Sequence, residues 1–345
     1  MSVMSCIYLH HTRPLYCRIN LSVPVLDRFF NNEDTRPDFR LSRESVTALL
    51  NLLNQQRRHG WGAPIEALVF LFWLASGAAY RVVSRVFAIP RSTVHRIVHR
   101  VTEVVVATRH QVIHLPRTPE DLDAMSNGFA QLAGHRAFVK AAGAIDCCHV
   151  RIKNRKLFPS IILQAVCDHE GRFVDTHVGL PGSVHDSRVL RHSPLYRQAR
   201  YPPPGHFILA DGGYPCPQHP LPLITPYKRP VYGAGAQRFN AHHSSLEVQV
   251  LEVHHTFVPH VRHANTSIIC ILWHVHCTYK IKHLSQVITA CAVLHNICIG
   301  GHISTVDCTC SGDTSYCPRS GTGFTALRVC AFMVTWVRQV SHDSP

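Results

Sequence analysis

Three aspartates in unlike settings carry the chemistry this sequence suggests: Asp146, Asp186 and Asp211. Asp146 stands in the middle of an apolar run, with Ala141, Ala142, Ala144, Ile145, Val150 and Ile152 around it. A strand interior disfavours aspartate, because a buried charge is costly unless it is paired or bound to a metal. An aspartate that simply bonds a neighbouring backbone N–H is the plain alternative. The other two acids sit in Gly182-Ser-Val-His-Asp186-Ser-Arg and Leu209-Ala-Asp211-Gly-Gly-Tyr-Pro215, each with Gly or Ser close by. Three acids on strand ends or strand-to-loop junctions can converge, and convergent carboxylates bind Mg²⁺ or Mn²⁺.

The elements that must position them follow from periodicity. Residues 141–152, Ser160–Cys167 and Arg172–Gly179 read as successive strands, with His169-Glu-Gly171 as a hairpin turn. Asp186 to Ala199 reads as one helix, broken by Tyr201-Pro-Pro-Pro-Gly205. Phe207–Ala210 is a short buried strand that delivers Asp211 at its C-terminal end, the edge where open α/β sheets bind ligands. Upstream, Ser42 caps a helix carrying Val46, Leu49, Leu50 and Leu53, and Pro64 starts a second that runs through Trp73. A short helix over 77–87, a turn at Ala88-Ile-Pro90 and a longer helix capped by Arg91-Ser-Thr93 have the plan of a helix-turn-helix. The outer face of the longer helix shows Arg91, His95, Arg96, His99 and Arg100 as candidate DNA contacts; an ordinary hairpin with a solvated basic face is the rival reading. Pro116 to Ala124 reads as a linker or a helix start and leads to a helix near Met125–Ala137.

The net charge of +14 over 345 residues favours a polyanionic partner, duplex DNA before a membrane surface. The 14 cysteines lie scattered in apolar segments, which suits buried thiols in a reducing compartment better than a disulfide framework. The first twenty residues show no signal peptide, and the apolar run Leu68–Tyr80 is too short to span a bilayer. The expected organisation is an irregular segment 1–40, a helical DNA-binding region 41–115 with its helix-turn-helix about 78–106, a linker and helix 116–140, an α/β domain 141–300, and an unstructured tail 301–345. Cys308, Cys310 and Cys317 in that tail lack a second ligand pair for zinc.

The chain resembles the Harbinger-type transposases and their domesticated nuclease relatives. The matching motifs are Ile145-Asp146…His149, Asn154-Arg-Lys-Leu-Phe-Pro-Ser160, Gly182-Ser-Val-His-Asp-Ser187, Ala210-Asp-Gly-Gly-Tyr-Pro215, Thr225-Pro-Tyr227, Phe239-Asn240 and Ala292-Val-Leu-His-Asn-Ile-Cys298. The resemblance implies a ribonuclease-H-like fold, a divalent metal, DNA strand cleavage and a nuclear or cytoplasmic location. It also implies a separate Myb-like DNA-binding partner and a homo-oligomer, with no membrane association. It places metal-binding acids at Asp146, Asp186, Asp211 and a later Glu, with catalysis resting on Asp146, Asp211 and that Glu. Lys153, Lys156, Lys228 and Arg229 would hold phosphates, unless they form a solvated face. Three departures stand out. The stretch Ile152–Asn154 is shorter than the family's. The family's basic helix after Phe239-Asn240 is missing, which leaves Glu247, with Glu252 second, as stand-in for the last acid. Residues 261–286 read as an aberrant insertion of translated-intron type. These departures predict weak or absent cleavage, and keep open a catalytically dead DNA-binding protein that retains the fold.

Overall fold

The computed structural model describes residues 22–53, 62–151, 160–246 and 281–300. Its first half is helical: α1 (Pro24–Phe30), α2 (Arg36–Phe39), α3 (Arg43–Leu53), α4 (Ala63–Ser76), α5 (Tyr80–Val86), α6 (Arg91–Ala107), α7 (Arg109–Val112) and α8 (Pro119–Ala133). Ser42 caps α3 as expected, its hydroxyl accepting from the Ser45 N–H at 3.2 Å. Helix α6 differs. Its cap position is Pro90, no side chain caps it, and Arg91 to Thr93 already form its first turn. Proline fits there because its fixed φ is pre-set for a helix start and it lacks an N–H to orphan. Helix α8 begins earlier than periodicity suggests. Thr118 and Asp121 form a reciprocal capping box, so of the two readings of Pro116–Ala124 it is the helix start that holds.

The second half builds one sheet from β1 (Ala141–Arg151), β2 (Ser160–Cys167), β3 (Phe173–Pro181), β4 (Phe207–Ala210) and β5 (Leu223–Ile224), in the order β3-β2-β1-β4-β5. The first three form an antiparallel meander, whereas β4 and β5 add in parallel beside β1. Strand β2 reads as a near-continuous apolar run, and every residue from Ile161 to Cys167 is buried, as a strand covered on both faces must be. The helix expected over 186–199 is two helices, α9 (Asp186–His192) and α10 (Pro194–Gln198). Pro194 drives Ser193 out of the helical region to ψ 146°, and Ser193 then caps α10 through the Tyr196 N–H.

Two helices complete the fold, α11 (Ala234–Leu246) and α12 (Ile281–Gly300). Helix α12 is long and apolar enough to cross a membrane, yet most of it is buried against α6 and β3. It is a core helix. Its Asn296 carboxamide accepts from the Phe173 N–H at 2.8 Å and donates to the carbonyls of Phe173 at 2.7 Å and Val112 at 3.0 Å. The last six residues of the suspected insertion, 281–286, form the first turns of α12, where Leu284 is buried. The six described cysteines are free thiols.

Candidate active site

The parallel pairing of β1 with β4 sets the site. Ile145 lies opposite Ala210, so Asp146, in the middle of β1, and Asp211, the first residue past β4, are neighbours across the two strands. Asp146 is almost fully buried, and its Oδ1 accepts from the adjoining Cys147 N–H at 2.6 Å. That bond is the local one the plain alternative called for; the neighbouring acids are what distinguish the position. Asp211 ends β4 and folds its own turn, with Oδ1 accepting from the Gly213 N–H at 3.1 Å. Asp186 is the first residue of α9, held there by its neighbour His185, whose ring caps the helix at the Ser187 N–H.

Gly213 measures how closely two of the acids approach. A β-carbon there would lie 3.2 Å from Asp186 Oδ2 and 3.3 Å from both Asp211 oxygens. The two carboxylates therefore sit no farther apart than the sum of those distances. The pKa of Asp211 is raised, first by burial and then by the charge of Asp186. Asp146 joins them through Cys147. Burial first, then the charges of Asp186 and Asp146, push that thiol's pKa up. One side chain thus senses acids from β1 and from α9.

Behind the acids lies a polar network that the sequence reading missed. The Cys147 Sγ and the Tyr214 hydroxyl are 3.0 Å apart, and the buried Gln164 amide donates to the same hydroxyl at 3.4 Å. Tyr214 is three residues past Asp211, so its bonds pin the Asp-Gly-Gly turn to β1 and β2. The readable signal was Gln164, the one polar residue inside the buried run of β2.

The donors suit a hard cation. Two carboxylates held this close repel each other, and a divalent ion relieves that repulsion with the oxygen ligands Mg²⁺ and Mn²⁺ require. Among the described residues no set of three or more His, Cys, Asp or Glu groups is already arranged around a common ion position. Glu247 and Glu252, Lys153 and Lys156, and the tail cysteines lie outside the described residues. Glu247 is the residue immediately after α11.

The basic helix is only partly a free surface. Arg91, His95 and Arg96 are exposed, but His99 and Arg100 are half-buried. His99 stacks on His283 of α12 with ring centres 3.8 Å apart, and Arg100 forms an ion pair with Glu66 of α4. Both positions border the apolar stripe, and α4 and α12 flank that stripe and cover them. Lys228 and Arg229 are exposed on the loop after β5.

Residues 145–296 match the model of the DDE superfamily endonucleases. A protein named "Putative nuclease HARBI1" from Rattus norvegicus is 27% identical over 295 residues, covering 79% of this chain and 80% of that protein. The Homo sapiens protein of the same name is 27% identical over 297 residues, with the same shares covered. "Protein ALP1-like" from Arabidopsis thaliana is 26% identical over 216 residues, 55% of this chain and 50% of its own length. No solved structure matches the chain at a significant level.

Proposed function

From the premise that residues 145–296 are a DDE superfamily endonuclease domain and that the chain is homologous to the Harbinger transposase-derived nucleases, we propose that the chain is a divalent-metal-dependent endonuclease hydrolysing phosphodiester bonds in nuclear DNA. The observation that carries this reading is the pair Asp186 and Asp211 bracketing Gly213, with Asp146 on the adjoining strand. Asp146, Asp186 and Asp211 would hold Mg²⁺ or Mn²⁺, with Glu247 as the candidate for the remaining ligand. When bound, such ions activate the attacking water and stabilise the leaving 3′ oxygen. The residues present do the rest. The Tyr214 network fixes the turn that presents Asp211, and the His185 cap fixes the start of α9 and so Asp186. Arg91, His95 and Arg96 supply exposed positive charge for the phosphate backbone of the duplex. The small β-carbon-free space at Gly213 lets the carboxylates face one another.

Nicking of supercoiled plasmid tests the reading. The chain should open the circle in Mg²⁺ or Mn²⁺ and not in chelator. Asp146→Ala and Asp211→Ala should each lower the rate by about 100-fold or more, the scale on which loss of one charge-stabilising group acts. Metal-dependent nicking that survives both substitutions would remove these acids from the reaction.

A further inference from the structure

Two large aromatic side chains stand in solvent on a loop that starts beside the Asp211 turn. Tyr227 is 59% exposed and Tyr232 is 83% exposed. Both belong to the loop between β5 and α11, which begins against the site: Pro226 is the nearest neighbour a β-carbon on Gly212 would meet, at 4.0 Å. Gly212 adjoins Asp211. The loop is stapled to the scaffold. The Asn240 carboxamide accepts from the Tyr227 N–H at 2.8 Å and donates to its carbonyl at 2.9 Å, and Gln237 donates to the Val231 carbonyl at 3.3 Å. The Tyr227 ring stands at 85° to Phe239, which itself stacks on Phe138. Tyr227 touches Phe239 yet stays mostly in water, and large rings left exposed together forgo the gain of burial, which is a mark of a binding surface.

The charge carried by the loop itself is of one sign. Lys228 and Arg229 lie between the tyrosines and Arg238 follows on α11, whereas no Asp or Glu occurs between Asp211 and Glu247. Cations interleaved with exposed rings suit a strand whose bases are out of the helix: the rings stack on bases and the cations follow the phosphates. A paired duplex offers those rings no free base face. We propose that loop 225–233 is a stacking platform that holds an unpaired nucleobase of the strand beside the acids, with Tyr227 and Tyr232 as its rings and Lys228 and Arg229 as its phosphate contacts. The inference rests on DNA being the substrate of this site.

Binding in chelator, without cleavage, tests it with the full chain. The probes are a blunt duplex and the same duplex with a short central bubble carrying 2-aminopurine. The chain should favour the bubble and quench its fluorescence. Tyr227→Ala and Tyr232→Ala should each weaken bubble binding by about fivefold to a hundredfold while sparing the duplex. Tyr227→Phe and Tyr232→Phe should keep the preference, because the ring remains and the fold is undisturbed. Lys228→Ala with Arg229→Ala should flatten the salt dependence of bubble binding by about 1.4 in the logarithmic slope. Equal affinity for bubble and duplex would overturn the proposal, as would alanine variants that retain the preference or lose both affinities alike. Failure of plasmid nicking with an intact bubble preference would instead count against the hydrolysis reading alone.

Discussion

At the scale of single residues, the acid pair makes opposite demands on stability and on metal binding. The pKa of Asp211 is raised in the folded chain, so its ionised form weighs on the fold. That penalty is absent below the ordinary carboxylate range, grows as pH climbs towards the raised value, and is full at neutral pH. Metal-free Asp211→Asn should therefore melt higher than the parent at pH 7. Millimolar Mn²⁺ should raise the parent's melting temperature and leave this variant's unchanged. A parent indifferent to the ion would speak against the site. Gly213→Ala should also blunt the metal-induced rise, because its β-carbon would crowd both carboxylates. Tyr214→Phe separates positioning from ligation. It removes the hydroxyl that Cys147 and the buried Gln164 share, and should cost about 1–3 kcal/mol in urea unfolding. Nicking should fall with it through a misplaced Asp211, and more metal should partly restore the rate. Asp146 was legible because it breaks an apolar run, and Asp186 and Asp211 because each stands at a junction with Gly or Ser close by. Tyr214 was not, because its partners come from strands far away in sequence.

At the scale of elements, the contact of α6 with α12 is titratable. Burial first, then the charges of His283 and His95, lower the pKa of His99 to about 4, with Glu103 opposing. His283 is lowered as well, chiefly by burial, while its contact with Gln286 opposes. His295, deeper on α12, is also pushed down to about 4 by burial. The folded chain thus binds fewer protons than the unfolded chain between the ordinary histidine range and about pH 4. Stability present above that range should be lost as pH falls through it. Urea unfolding across this window should show the loss, and His99→Gln should make it shallower. An unchanged slope in the variant would show that His99 is already charged. The seam also marks where sequence reading stopped. The apolar stripe of α6 identified the helix and its buried side, and β1 to β4 followed from their patterns to within a residue or two, whereas β5 is two residues long and carries no period to read. What the stripe could not tell was how far neighbours wrap around it. His99 and Arg100 looked free until α12 and α4 were in place. Likewise Pro194 splits a stretch whose apolar spacing alone reads as one helix.

At the scale of the whole molecule, the net charge of +14 should govern association with the proposed substrate. Binding to duplex DNA should weaken steeply with salt, and Arg91→Ala with Arg96→Ala should lower the logarithmic slope by about 2 without changing helical content. Arg100→Ala should instead destabilise the fold, because it leaves Glu66 without its partner. If the double variant kept the parent's slope, the phosphate contacts would lie elsewhere. The division into helical region and sheet was legible, since period 3.6 gives way to period 2 near residue 141. The clasp between them was not, because Asn296 reads as one polar residue in an apolar helix until Phe173 and Val112 are beside it.

That clasp has a bearing on the order of synthesis. Strand β3 is an edge of the sheet, and the helix that lies on it is made about a hundred residues later. Ribosomes add roughly 5–20 residues per second, so the meander waits on the order of ten seconds or more for α12. Throughout that interval the Phe173 peptide groups and the apolar face beside them have no cover. An apolar face exposed for that long is of the kind chaperones bind, so slowing translation over the stretch between β3 and α12 should lower the soluble yield without changing the stability of the finished fold.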